Sequence, residues 1–179
     1  AISIEKAVQS IDVSTIVLLY ALMVISAQLR LGGFYTWSAE KISFFLKKPR
    51  LFLLVLMLAS AVLSALLAND IICLAFTPVL SYSLISSGMN PLPYLLALAL
   101  ASNAGSAATI IGNPQNMLIG QTGGLDFASF TAWCLPPSIA SVFIIYFVIC
   151  IIYRKTLDVR TKLKITDPGP SGKEWPEFN

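Results

Sequence analysis

The residues best able to do chemistry in this chain carry no charge. Residues 101 to 116 read ASNAGSAATIIGNPQN, with three asparagines, two serines, a threonine and a glutamine set among two glycines and a proline. Asn103, Ser106, Thr109, Asn113 and Asn116 offer neutral donors and acceptors, which suits a site that must both fill and empty. The stretch is preceded by YLLALAL and followed by MLIG. Polar groups in so apolar a setting need a partner or a purpose. Gly105 and Gly112 weaken a helix here, and Pro114 removes a backbone donor. Residues 102–116 are therefore expected to be unwound backbone at mid-membrane depth. A helix broken in this way exposes carbonyls at the end of its first half, which suit a cation. It exposes N–H groups at the start of its second half, which suit an anion.

A second polar focus is Asn69-Asp70, at the junction of two apolar arms. Asp70 is the only formal charge in the 75 residues from Leu51 to Leu125. A carboxylate at bilayer depth is costly unless it is paired, ion-bound or protonated. The plainer alternatives are aqueous loops, one at Asn69-Asp70 and one over 102–116. The latter would leave neither flanking apolar run long enough to cross a membrane.

The elements that must position these groups follow from hydropathy. Of 179 residues, 56% are hydrophobic and 12% charged, and the mean hydropathy is +0.78. Ordinary soluble domains carry about 25% charged residues, so the chain reads as an all-α integral membrane protein. Its membrane domain is expected over 1–155. The spans are about 13–31, a hairpin or two short spans over 51–87, a broken helix over 90–120, and a last span over 131–153. A polar cytoplasmic linker or tail follows at 156–179. Gly32 and Gly33 loosen the first helix after Arg30. The segment GGFYTWSAEKISFFLKKPR then reads as amphipathic and interfacial. Pro136-Pro137 reads as a kink or a helix start. The first residues lack a basic leader and already contain Glu5 and Asp12, so no cleavable signal peptide is expected. The absence of an initial methionine gives the expectation that an upstream part is missing.

Charge sets the orientation. Lys47, Lys48 and Arg50 form one basic cluster; Arg154, Lys155, Arg160, Lys162 and Lys164 form the other. Both are expected on the cytoplasmic side. The parity closes if 51–87 returns to the side it left. A hairpin with its tip inside the bilayer is favoured over two full spans because each apolar arm is slightly short.

Several functions are excluded. The net charge of +3 comes without a nucleic-acid motif, so no nucleic-acid partner is implied. There is no histidine, Asp70 has no nearby acid to form a dyad, and no intramembrane lysine could pair with a serine. The chain is read as no enzyme. Cys73, Cys134 and Cys150 lie in apolar runs and read as small buried hydrophobes. Cys73, one turn beyond Asp70, is also placed where a thiol could meet a soft metalloid.

At the two foci the sequence resembles the ion transporter superfamily, which joins divalent-anion/sodium symporters, citrate transporters and arsenite efflux pumps. SALLANDIICLAFTPVL resembles its hairpin. SNAGSAATIIGNPQNMLIG resembles its broken helix through Ser102, Asn103, Gly105, Thr109, Gly112, Pro114 and Asn116, with Ser106 in place of a second glycine. The resemblance implies one half of an inverted-repeat secondary transporter, with a re-entrant hairpin and a broken transmembrane helix. It implies a substrate site where tip and break meet, and a Na+ site drawn from Asn69, Asp70, Ser102, Asn103, Gly105 and Gly112. Ala68-Asn69-Asp70 followed by Thr77-Pro78 departs from the S-N-T of dicarboxylate members and is similar to arsenite-pump-like ones. An aspartate at the tip repels a carboxylate unless it is protonated or holds a cation.

The expected function is secondary transport of a small anion or oxyanion, of di/tricarboxylate or arsenite type, coupled to Na+ or H+ by alternating access. No cofactor beyond that coupling ion is expected. The expected partners are membrane lipid, the substrate, a second transporter repeat and a second copy in a homodimer. The expected location is a bacterial or archaeal cytoplasmic membrane. The alternative is a channel or structural membrane subunit whose polar break only packs helices.

Overall fold

The computed structural model describes residues 12–158, and the tail over 159–179 lies outside them. Every regular element among the described residues is helical. Helix α1 (Val13–Leu31) is capped by Asp12, whose carboxylate accepts the N–H of Ser14. The Thr15 hydroxyl donates to the same carboxylate at 2.7 Å and holds its pKa below the usual range. Helix α2 (Phe34–Ser43) follows a turn in which Gly33 has φ +72°. A short 3-10 turn (Phe44–Lys47) then leads into α3 (Pro49–Leu67).

One residue separates α3 from α4 (Asn69–Ser86). That residue is Ala68, at φ 72° and ψ 139°. This is the left-handed half of backbone space, which costs a side-chain-bearing residue about 1–2 kcal/mol. The chain reverses there. Helix α5 (Leu92–Ser106) is followed by non-α backbone with a 3-10 turn at Ile110–Gly112, then by α6 (Pro114–Thr122). Helix α7 (Phe127–Ile152) and the short α8 (Arg154–Asp158) complete the described chain.

Helix α5 is the centre of the packing, in contact with α3, α4 and α7. It runs alongside α3 in the same direction. The Phe52 and Tyr94 rings lie 5.2 Å apart at one end, and the Ser64 hydroxyl donates to the Ser102 carbonyl at 2.7 Å near the other. Helix α4 runs opposite to both. Its buried Ile72, Phe76, Leu80 and Leu84 recur every fourth residue and form one inward stripe. The core joins these side chains to Leu53, Leu56, Met57, Ala97, Leu98 and Ala101.

Close approach depends on missing Cβ atoms. Gly105 lies so near Ala61 that a methyl group there would overlap the Ala61 backbone, and Gly112 abuts the Ser106 carbonyl in the same way. Helix α2 turns Tyr35, Ser38 and Ile42 inward, with Tyr35 edge-on to Phe76 of α4. Trp37 points outward, with the Lys41 ammonium 5.9 Å from its ring. The amphipathic segment therefore packs one face on the hairpin.

Helices α1, α3, α4 and α7 are each long and apolar enough to cross a membrane by length and composition. The 19 and 18 residues of α3 and α4 correspond to about 27–28 Å at 1.5 Å per residue. One boundary differs from the sequence reading. Helix α7 starts at Phe127 rather than near 131, because the Asp126 side chain caps it through the Ser129 N–H at 2.9 Å. It also continues through Pro136 and Pro137.

Two substitutions test this account. Gly105→Ala should destabilise by about 1–3 kcal/mol through overpacking, seen as a lower melting temperature in detergent. Ala68→Gly should be neutral or stabilising by up to about 1 kcal/mol through relief of strain. An unchanged melting point for the first, or a lower one for the second, would contradict the packing described.

Candidate functional site

The tip of the hairpin meets the end of α5. Asn69, the first residue of α4, donates its amide to the Asn103 side-chain oxygen at 2.6 Å. One turn along α4, the Cys73 sulfur lies 2.9 Å from the Ser102 hydroxyl. Thr109, within the unwound segment, donates its hydroxyl to the Ala65 carbonyl on α3. The two polar foci, more than thirty residues apart in the chain, thus share one location.

The unwinding is shorter than residues 102–116. Ser102, Asn103, Gly105 and Ser106 remain in α5, and Pro114 and Asn116 are already in α6. Only 107–113 leaves the α-helix. Glycine and proline weaken a helix, but Gly105 is held in register by its seat on Ala61. Pro114 sits in the first turn of α6, where a missing N–H costs nothing.

The groups freed by the break are largely answered from within. The Ser106 carbonyl accepts from the side-chain amides of Asn113 at 3.4 Å and Asn116 at 3.3 Å. Asn116 also donates to the Thr109 carbonyl at 2.9 Å. The Asn113 side-chain oxygen caps α6 through the Asn116 N–H at 2.8 Å. At the end of α5, Ser64 takes the Ser102 carbonyl, Ser106 the Asn103 carbonyl and Ser138 of α7 the Ala104 carbonyl. The Ala108 N–H takes the Gly105 carbonyl at 3.0 Å. The carbonyls expected to stand free for a cation therefore each hold a donor in this conformation, although a carbonyl keeps a second lone pair.

The residues singled out by sequence divide accordingly. Ser106, Thr109, Asn113 and Asn116 brace the break, and Pro114 starts α6. Gly105 and Gly112 are buried where backbones approach. Asn69, Asp70 and Asn103 form the outward polar edge, with Asp70 and Asn103 exposed and Asn69 half-buried. Two amide groups and a carboxylate supply oxygen donors of the kind hard cations take. Among the described residues no cluster of three His, Cys, Asp or Glu side chains exists. Thr77 stands apart, its hydroxyl turned to the Cys73 carbonyl at 2.7 Å. Sequence reasoning did not single out Ser64, Ala61 or Ser138. An isolated serine or alanine in an apolar helix gives no signal of the helix it will touch.

Comparison with known proteins fits this architecture. The citrate transporter family model matches residues 1–175. The chain belongs to that family. It is a family of membrane transporters and not an enzyme class. The chain is 32% identical to the silicon efflux transporter LSI3 of Oryza sativa subsp. japonica, over 88% of this chain and 32% of that protein. It is 30% identical to an arsB transporter candidate of Dictyostelium discoideum, over 82% of this chain and 26% of that protein. It is 37% identical to the inner membrane protein YbiR of Escherichia coli, over 71% and 34% respectively. The chain thus spans about a quarter to a third of the length of these relatives. No solved structure matches it.

The bracing role has a measurable consequence. Asn116→Ala removes the shorter donors from the Ser106 and Thr109 carbonyls, leaving them the Asn113 amide at 3.4 Å and the Gly112 N–H at 3.3 Å, and each lost hydrogen bond costs about 0.5–1.5 kcal/mol. Amide hydrogen exchange over 107–113 should quicken in this variant while α3 stays protected. Unchanged exchange would show that the amide does not hold the break.

Proposed function

We propose that the chain is one repeat of a secondary transporter, moving a small anion or oxyanion by alternating access with Na+ or H+ as coupling ion. The observation that carries this is the Asn69–Asn103 hydrogen bond, which joins a hairpin tip to a helix at the point where it unwinds. A tip and a break in contact put polar side chains and backbone dipoles in one place on separately movable helices, an arrangement suited to binding and release. The two-arm segment acts as a re-entrant hairpin. This reading rests on its tip reaching only the end of α5, while α6 continues past it to meet α1 at Thr15 and Gln121.

The polar edge favours oxyanion or weak-acid cargo over a di- or tricarboxylate. Asp70 repels a carboxylate unless a cation or proton neutralises it, whereas the amides of Asn69 and Asn103 bond equally well to hydroxylated solutes. The silicon efflux transporter among the relatives is consistent with such cargo. Asn69, Asp70 and Asn103 line the site in this reading, the buried Ser102 supports it from behind, and Asn113 and Asn116 keep the break open. A second repeat, supplied by the remainder of a carrier two- to threefold longer, completes the site, and two such carriers pair as a homodimer. The protein resides in a bacterial or archaeal cytoplasmic membrane, as the inner-membrane relative suggests.

The test uses the full-length carrier in proteoliposomes. Asn103→Ala should lower solute flux by about tenfold or more, the effect of one lost hydrogen bond to a charged group, with the protein still folded and inserted. Wild-type flux in that variant would remove the reading. Flux that rises linearly with solute and never saturates would replace the carrier by a channel.

A further inference from the structure

Helix α4 has a second flank, facing α1 and α2, and a cavity of about 190 Å³ opens there. Its lining includes Arg30 and Ala27 of α1, the Ser26–Tyr35 pair, and Ile71 and Leu74 of α4. We propose that this cavity binds an amphiphilic carboxylate with a single alkyl chain.

Both halves of that chemistry are present. The Arg30 guanidinium makes no ion pair or hydrogen bond among the described residues, yet it lies at the edge of an apolar wall. Arg30 is exposed in the last turn of α1, where its cation is open to an anionic partner. The Ser26 and Tyr35 oxygens are 2.6 Å apart, and both residues are buried, at 2% and 3% exposure. Their mutual bond uses one hydroxyl hydrogen, so a second hydrogen is left to donate. A planar guanidinium beside a hydroxyl donor matches a carboxylate.

Ile71 and Leu74 supply the apolar part, and Leu74, at 74% exposure, marks the open side through which a chain would leave into lipid. The volume is below the roughly 300–1,000 Å³ of drug-sized pockets. It holds a small head group and the start of one chain, not a two-chain phospholipid.

The site is separate from the tip-and-break junction. Asn69 and Cys73 turn to the α5 side of α4, and the cavity lies on the α1 side. It nevertheless touches Ile71, the residue after Asp70, so an occupant would pin the tip-bearing arm of the hairpin against α1. The proposal holds whether or not the chain transports.

The test is photolabelling of the full chain in zwitterionic nanodiscs with a diazirine analogue of palmitate, adducts being mapped by mass spectrometry. Saturable adducts are expected on 23–27 and 71–75, competed by palmitate but not by palmityl alcohol or phosphatidylglycerol. Arg30→Gln should lower labelling by about tenfold or more, from the loss of one charge-assisted bond, and Arg30→Lys, which keeps the charge but not the planar fork, should fall between that variant and the unaltered chain. Ala27→Leu, which narrows the cavity and leaves the charge in place, should also lower it. Asn103→Ala should leave labelling unchanged, which separates this site from the transport site. Unaltered labelling in Arg30→Gln, equal competition by the alcohol or by phosphatidylglycerol, or no saturable adduct would each overturn the assignment.

Discussion

An amide or carbonyl inside an apolar bundle must find a partner, and this constraint governs the whole structure. Breaking a helix within such a bundle frees several of these groups at once. Here the repair comes from side chains. The amides of Asn113 and Asn116 reach back to the carbonyls of Ser106 and Thr109. Hydroxyls of Ser64 and Ser138 on neighbouring helices, and of Thr109 in the break itself, connect the break to α3 and α7. A polar run that looks like a binding site in sequence is therefore, in large part, the means by which a break can exist at all.

The same constraint explains why the packing around α5 is so close. Side chains of one or two heavy atoms reach a carbonyl on another helix only if the two backbones nearly touch. Gly105 against Ala61 allows that approach, and the Ser64–Ser102 contact lies beside it. Small residues at helix interfaces are the usual route to such contact in membranes, where lipid offers no hydrophobic drive toward association. At the opposite end of α5 the packing is ordinary, with Tyr94 and Phe52 ring to ring. Polar precision is concentrated at one end of the bundle, and bulk at the other.

Once the break is braced, few polar groups near it remain outside the bracing. Asp70, Asn69 and Asn103 are those groups, at the edge where tip and break touch. Ala68 holds the tip in a left-handed conformation that glycine would adopt more easily. Strain of this kind persists where surrounding structure fixes the backbone, and it recurs at functional sites. The edge is neutral but for one carboxylate, that of Asp70.

Much was legible in the residues themselves. Hydropathy alone gave an all-helical membrane chain, because burying a peptide group in lipid leaves few other options. Gly105, Gly112 and Pro114 marked a break, and Asn69-Asp70 marked a reversal, because those residue types weaken or interrupt apolar helices. The extent of the break was not legible, since Gly105 stays helical only by virtue of Ala61 on another element. Nor was the division of the asparagines into braces and an exposed edge. Asn103, Asn113 and Asn116 are the same residue type, and which of them faces a carbonyl and which faces open space depends on contacts set by the fold. Composition and spacing determined that polar groups would stand in an apolar bundle; only the tertiary structure decided which were consumed in holding it together, because hydrogen-bond partners distant in sequence are chosen by packing.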